Sequence, residues 1–428
     1  MIPAIVQLEL TSKCNYLCQH CYRLDSSGQE ISREELPDED MIRIAEILAE
    51  NKLFFVTLTG GEPLMRKKLV VELVDFLSKK GIKVSLNTNL ILLDQSTFTK
   101  LSLYGVLASC PSTDPDAYKL ITRGGSYQRF ANNLKMLIES GQSHIVNMVV
   151  SKLNADQVRQ TAENLKKMGV KNFAATPASL NAEFPRPDLL LSLEEFRETL
   201  DDLVWIHENL GMHVDVMEAL PKCIIPQRAY ELNLPFIGRT CFAGRRNGTI
   251  SPMGDVRPCG HNPNTFGNIL TEPISDIWER LQYWRKDTGN THRNCLACDV
   301  YNSCEGGCVF SGHPIAPKLD IKEIDSNVND SKKSTDLLAK GLVVKPYKKI
   351  MSRKDGSGWL LCSNSPRNLL FVNEQLYFFI INTRNLQPIT LGELAKLHGT
   401  EYEDEFFQAI MRELIAKSFF IVCDKRVG

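Results

Sequence analysis

Nine of the thirteen cysteines fall into three groups whose spacings suit iron–sulfur ligation. Cys14-x3-Cys18-x2-Cys21 stands in LTSKCNYLCQHCY, and Cys241 precedes Cys259 in a turn-rich stretch. Cys295-x2-Cys298-x5-Cys304-x3-Cys308 forms a four-cysteine run. Three thiolates on one short loop can hold a 4Fe-4S cluster with one iron left open. An open iron can bind a substrate or cofactor, so such a cluster can do chemistry as well as carry electrons.

Scattered buried thiols would produce the first spacing with a chance of roughly 1%, and the four-cysteine run far less often. Disulfides are the second bland reading. The chain opens MIPAIVQLEL, without a basic segment, an apolar segment and a cleavage site. No apolar run reaches membrane-span length. The expected setting is therefore a reducing cytoplasm, which favours metal over disulfide. Taken by itself, the 295–308 run suits zinc as well as iron–sulfur, because four thiolates serve both.

The net charge of −1 gives no electrostatic footprint for nucleic acid or an anionic membrane. Up to about residue 210, short apolar runs alternate with helical patterns. The expected strands are 4–10, 53–59, 82–87, 104–109, 144–150 and 171–176. Phe130, Leu134, Leu137 and Ile138 share one helical face. Ser192 and Glu195 read as a capping box before another helix. Six βα repeats imply a parallel sheet covered by helices, either a partial barrel or a doubly wound sheet. Both place functional residues at the C-terminal strand ends. The first cysteine loop, Gly60-Gly61-Glu62-Pro63, Asn87, Asn89 and Ser109 then converge on one face. The glycines would let backbone approach a ligand closely, and Glu62 could accept a hydrogen bond from an ammonium.

From about 215 to 317 turns are frequent and cysteines dominate, with a hairpin expected at 249–259 around Gly254-Asp255. The polar segment 320–336 reads as a linker. Beyond it, GWLLC and NLLFV are strand-like, and three helical patterns and a terminal strand follow. That order suits a small winged-helix-like module.

Cys14-x3-Cys18-x2-Cys21 with Tyr22, followed by Gly60-Gly61-Glu62-Pro63, resembles the radical S-adenosylmethionine (SAM) superfamily over about residues 3–210. The resemblance implies a partial (β/α)6 TIM-like barrel of the α/β class. It also implies a 4Fe-4S cluster whose open iron binds SAM and cleaves it to a 5′-deoxyadenosyl radical. Tyr22 would then lie near the adenine. Gly60, Gly61 and Glu62 would hold the methionine moiety, and Asn89 and Ser109 would lie near the ribose or carboxylate. The usual Ser-x-Asp-Gly reads Ser109-Cys110-Pro111-Ser112 here.

The second region resembles the SPASM extension of some members. Twelve residues separate Cys241 from Gly254, and Cys259 follows after four more, ahead of the four-cysteine run. This resemblance turns the zinc question toward two auxiliary 4Fe-4S clusters. It implies Cys241, Cys259 and Cys308 for one and Cys295, Cys298 and Cys304 for the other. Cys223 is a candidate fourth ligand of the former. Cys362, His313 and Asp320 are candidates for the latter, although Cys362 reads better as a buried thiol. Cys110 and Cys423 read as packed thiols.

The third unit resembles in pattern the recognition element of enzymes that modify ribosomal peptides. The expected domains are 1–215 radical SAM, 216–335 SPASM and 345–428 recognition element. Its basic run, Lys340 to Lys354, reads as linker. The implied partners are a precursor peptide with a leader and an electron donor such as a flavodoxin or ferredoxin. The expected activity is peptide maturation, yielding a thioether or carbon–carbon crosslink. The rivals are a dehydrogenase or sulfatase-maturase-like enzyme on a small molecule or protein, a peptide epimerase using Cys110 or Cys223, and a non-catalytic iron–sulfur carrier or redox regulator.

Overall fold

A computed structural model describes residues 2–24, 34–179, 186–284, 295, 298, 300–310, 338–363 and 368–423. His313, Asp320 and the 320–336 segment lie outside these residues. The chain divides into two compact units, 2–325 and 326–428.

Nine strands form the sheet of the first unit: β1 (Ile5–Glu9), β2 (Phe55–Thr59), β3 (Lys83–Thr88), β4 (Gly105–Ser109), β5 (His144–Val150), β6 (Asn172–Pro177), β7 (His213–Asp215), β8 (Asn247–Ile250) and β9 (Val256–Arg257). Their order is β7-β6-β5-β4-β3-β2-β1-β8-β9, and the two end strands do not pair with each other. The sheet is therefore open, a partial barrel with its six expected strands in sequence order. All pairings from β7 to β8 are parallel, and only β8–β9 is antiparallel.

The register explains why one face is helix-covered. Leu8, Leu58, Leu86 and Val106 are successive partners across four strands, and all four are buried. Side chains alternate in a strand, so Gln7, Thr57 and Ser85 line up on the opposite face. One face is thus apolar core and the other a polar lining. Ser126 caps the helix Tyr127–Glu139, whose Phe130, Leu134 and Leu137 are buried. Ser192 and Glu195 form the capping box of the helix Leu193–Leu210.

Within the cysteine-rich region, β8 extends the barrel sheet beside β1. A segment with few apolar residues gains its burial from an existing edge strand. The expected hairpin is present, with Ile250 opposite Val256 and Gly254 at φ +84°.

The second unit begins earlier than residue 345. It holds β10 (Val343–Pro346), β11 (Met351–Asp355), β12 (Gly358–Cys362), β13 (Leu369–Val372), β14 (Ile389–Thr390) and β15 (Phe420–Val422). Its antiparallel sheets have the orders β14-β10-β15 and β11-β12-β13. The basic run read as linker therefore carries two strands. Its lysines and arginine mask a weak alternation, in which Val344 and Arg353 point inward. Three helices, Glu374–Thr383, Leu391–Leu397 and Glu405–Ala416, complete the unit. Cys362 is fully buried there, as a packed thiol would be. Among the described residues, no helix is long and apolar enough to cross a membrane.

Candidate active site and iron–sulfur sites

The loop after β1 carries Cys14, Cys18 and Cys21, each half-buried and free of disulfide. The Cys21 amide donates to the Cys18 carbonyl at 2.9 Å, and the Tyr16 amide donates to Cys14 Sγ at 3.4 Å. Burial, and then the charges of Cys21 and Cys14, push the Cys18 thiol well above its ordinary range.

Gly60 and Gly61 face the backbone of this loop. The Gly61 amide donates to the Thr11 carbonyl at 2.7 Å, and the Glu62 amide donates to the Lys13 carbonyl at 2.9 Å. A Cβ on Gly61 would sit 2.0 Å from the Lys13 carbonyl oxygen, and one on Gly60, at φ +136°, 2.4 Å from that of Thr11. The glycines are thus required first by close approach of the cysteine loop. Gly61→Ala is expected to destabilise this junction by about 3 kcal/mol. Anaerobic reconstitution should then recover less iron at the first cysteine loop.

Glu62 is 1% exposed. Its Oε1 accepts from Leu64 N at 3.0 Å and Thr88 Oγ1 at 2.7 Å, and its Oε2 accepts from Asn89 N at 2.8 Å. A carboxylate offers about four acceptor positions, so one remains for a ligand. Burial outweighs these donors and raises Glu62 to about 7. The folded chain therefore holds this proton more tightly than the unfolded one. The associated stability is whole below the ordinary value of 4.5 and is lost as pH rises through 7. The loss is about 3 kcal/mol. The thermal midpoint of the SAM-free protein should fall across that window, and Glu62→Gln should flatten the slope.

Asn89 joins the two parts. Its Nδ2 donates to Asn15 Oδ1 at 2.9 Å and lies 4.0 Å from Cys14 Sγ. Ser109 ends β4 in register with Asn147 of β5. Tyr22 faces the hairpin region, its ring centroid 4.2 Å from that of His261.

Glu9, Arg23 and Arg257 escaped the sequence reading. Glu9 is 1% exposed and ends β1. Arg23 Nη1 reaches Glu9 Oε1 at 2.8 Å, and Arg257 Nη2 reaches Oε2 at 2.5 Å. One buried carboxylate therefore ties the first cysteine loop to the hairpin that carries Cys259. The available signal was a charge at the end of an apolar strand, which needs a partner when buried.

The other thiols form two neighbourhoods. Cys308 is raised by burial and by the charges of Glu218, Cys241 and Cys259. Burial and Cys241 push Cys259 up to about 11. Cys295 is raised by burial and by Cys304 and Cys298. Among the described residues, no three side chains close on a single point as around one ion. A four-iron cluster instead takes one thiolate per iron and spreads its ligands. Burial and neighbouring negative charge disfavour the thiolates of Cys18, Cys259, Cys295 and Cys308, and a cationic cluster core would relieve both penalties.

Comparisons with known proteins agree with this chemistry. Residues 8–165 match the radical SAM superfamily, and residues 241–299 match SPASM, an iron-sulfur cluster-binding domain. Mycofactocin maturase MftC of Mycolicibacterium smegmatis is 27% identical over 328 residues, covering 73% of this chain and 81% of that protein. The antilisterial bacteriocin subtilosin biosynthesis protein AlbA of Bacillus subtilis is 27% identical over 331 residues, covering 73% and 68%. An AdoMet-dependent heme synthase of Methanosarcina barkeri is 27% identical over 330 residues, covering 71% and 90%. Streptococcus suis SuiB bound to precursor peptide SuiA has a similar fold, with TM-score 0.58 and 19% identity over 72% of each chain.

Proposed function

The chain is a radical SAM enzyme with a SPASM iron–sulfur domain, and from that premise we propose that it matures a ribosomally made precursor peptide. When bound, the reduced first cluster supplies the electron that cleaves SAM to a 5′-deoxyadenosyl radical, which takes a hydrogen from the peptide. An auxiliary cluster would supply the acceptor for a second electron, and with loss of a proton the peptide would close a thioether or carbon–carbon crosslink, two hydrogens lighter. The external electron comes from a flavodoxin- or ferredoxin-type donor.

The chain's residues divide this work. Cys14, Cys18 and Cys21 hold the first cluster. Cys241, Cys259 and Cys308 hold one auxiliary cluster, and Cys295, Cys298 and Cys304 hold the other. Glu62 offers its remaining acceptor position to the SAM ammonium, and Asn89 ties Glu62 to the cysteine loop through Asn15. Tyr22, Gly60, Gly61 and Ser109 complete the SAM side. The polar lining of the sheet faces the substrate.

The observation that carries the peptide reading is β13 in the second unit. It is an edge strand, with Phe371 43% exposed and Phe378, on the following helix, 49% exposed. An extended leader can add to such an edge through main-chain hydrogen bonds, with aromatic side chains beside it. Both matched domains end before this unit. The test is anaerobic co-expression with the short peptides encoded beside the gene, followed by mass spectrometry. Loss of two hydrogens from one peptide is expected. Deuterium uptake at unchanged mass would indicate epimerisation. SAM cleavage with every peptide unaltered would move the substrate to a small molecule or a folded protein.

A further inference from the structure

The thiols assigned above to the first auxiliary cluster number three, one short of four irons. We propose that the Glu218 carboxylate is the fourth ligand of the cluster held by Cys241, Cys259 and Cys308. The inference rests on that assignment of thiols.

The argument starts from two segments that run side by side. After β7 the chain continues as Met217-Glu218-Ala219-Leu220-Pro221-Lys222-Cys223. The Cys308 amide donates to the Ala219 carbonyl at 2.9 Å, and the Lys222 amide donates to Cys304 Sγ at 3.3 Å. Residue 219 thus pairs with 308 and residue 222 lies by 304, so the segments are antiparallel. Gly307, at φ +77°, closes the contact: a Cβ there would lie 2.5 Å from Pro221 Cδ.

This register decides which side chain serves which set. Cys223, the sequence candidate for this cluster, directly follows Lys222, whose amide meets Cys304 Sγ of the other set. Glu218 precedes the residue at Cys308. Its charge acts on the Cys308 thiol ahead of those of Cys241 and Cys259, and it also acts on His261. Ser179 Oγ donates to Glu218 Oε2 at 3.0 Å. A hydrogen bond of this kind orients a ligating carboxylate from outside the metal shell. His261 is a second candidate among the described residues, but its ring packs between those of Tyr22 and Phe310, with centroids at 4.2 and 6.4 Å. A carboxylate at this iron closes it to substrate, so the peptide would meet the 5′-deoxyadenosyl radical at the first cluster without binding auxiliary iron.

The test uses full-length protein reconstituted anaerobically in the Cys14→Ala/Cys18→Ala/Cys21→Ala background, which removes the first cluster. The probe is carbon-13 cyanide, read by pulsed electron paramagnetic resonance of the reduced auxiliary clusters. Adding Glu218→Ala is expected to create a new cyanide coupling and to shift the g values of one cluster. Glu218→Cys should retain the iron and abolish that coupling. If Glu218→Ala behaves like its parent, or if the new coupling arises in His261→Ala instead, the proposal is overturned. If Glu218→Ala loses about four irons per chain, Glu218→Cys decides. Recovery of that iron supports ligation, and its continued loss overturns it. Wild-type protein that takes up no more than about four irons per chain would overturn the assignment of thiols itself.

Discussion

Replacing Cys14, Cys18 and Cys21 together with alanine is expected to reduce 5′-deoxyadenosine formation to background, a loss of at least about a thousandfold. The three thiolates act as one unit, so single replacements should cost nearly as much as all three. Iron content should fall by about four atoms per chain, while both auxiliary clusters remain. The measurements are anaerobic SAM turnover by chromatography, iron and sulfide analysis, and electron paramagnetic resonance. Full SAM cleavage by the triple variant would sink the radical mechanism. Loss of all iron would mean that the auxiliary sites depend on the first loop. The Glu9 contact to Arg23 and Arg257 offers a route for such dependence.

That contact underlies the second large effect. Glu9→Ala would leave two buried guanidinium groups close together, with no carboxylate between them. Breaking a buried ion pair from one side costs about 3–5 kcal/mol, because the remaining charge is stranded. For a unit of this size the thermal midpoint should fall by roughly 4–7 °C. Recovery of iron at Cys259 should fall with it, since Arg257 anchors the hairpin. Replacing Glu9, Arg23 and Arg257 together with leucine and methionine should restore most of the stability, because an apolar set of similar volume carries no desolvation penalty. Equal instability of Glu9→Ala and the triple replacement would show that packing, and not charge, holds this junction. The arrangement also accounts for Arg23, two residues beyond Cys21, whose charge would otherwise be costly inside the sheet mouth.

Local chemistry was legible in the sequence. The spacing of Cys14, Cys18 and Cys21 reports a loop, and the Gly60-Gly61 pair reports a close approach. The alternating apolar runs gave six strands within about two residues of their observed ends. The capping pair Ser192 and Glu195 marked the start of a helix. These signals are short-range, because turn, cap and strand preferences depend on neighbouring residues. The strands at 343–346 and 351–355 were hidden, because lysines and arginine on short strands resemble a linker.

Pairings between distant segments were settled by tertiary structure. The sequence placed Gly60 and Gly61 beside a ligand, whereas their first constraint is the carbonyls of Thr11 and Lys13. It gave Glu62 one role, whereas the folded chain surrounds it with Leu64, Thr88 and Asn89. It did not reveal that β8, within the cysteine-rich region, pairs with β1 of the barrel sheet. Glu9 and Arg257 are separated by 248 positions, and no local pattern links them. Cysteine spacing can be read along the chain because a cluster loop is local. A buried charge finds its partner only through packing, which the sequence encodes jointly over hundreds of residues and not in any one motif.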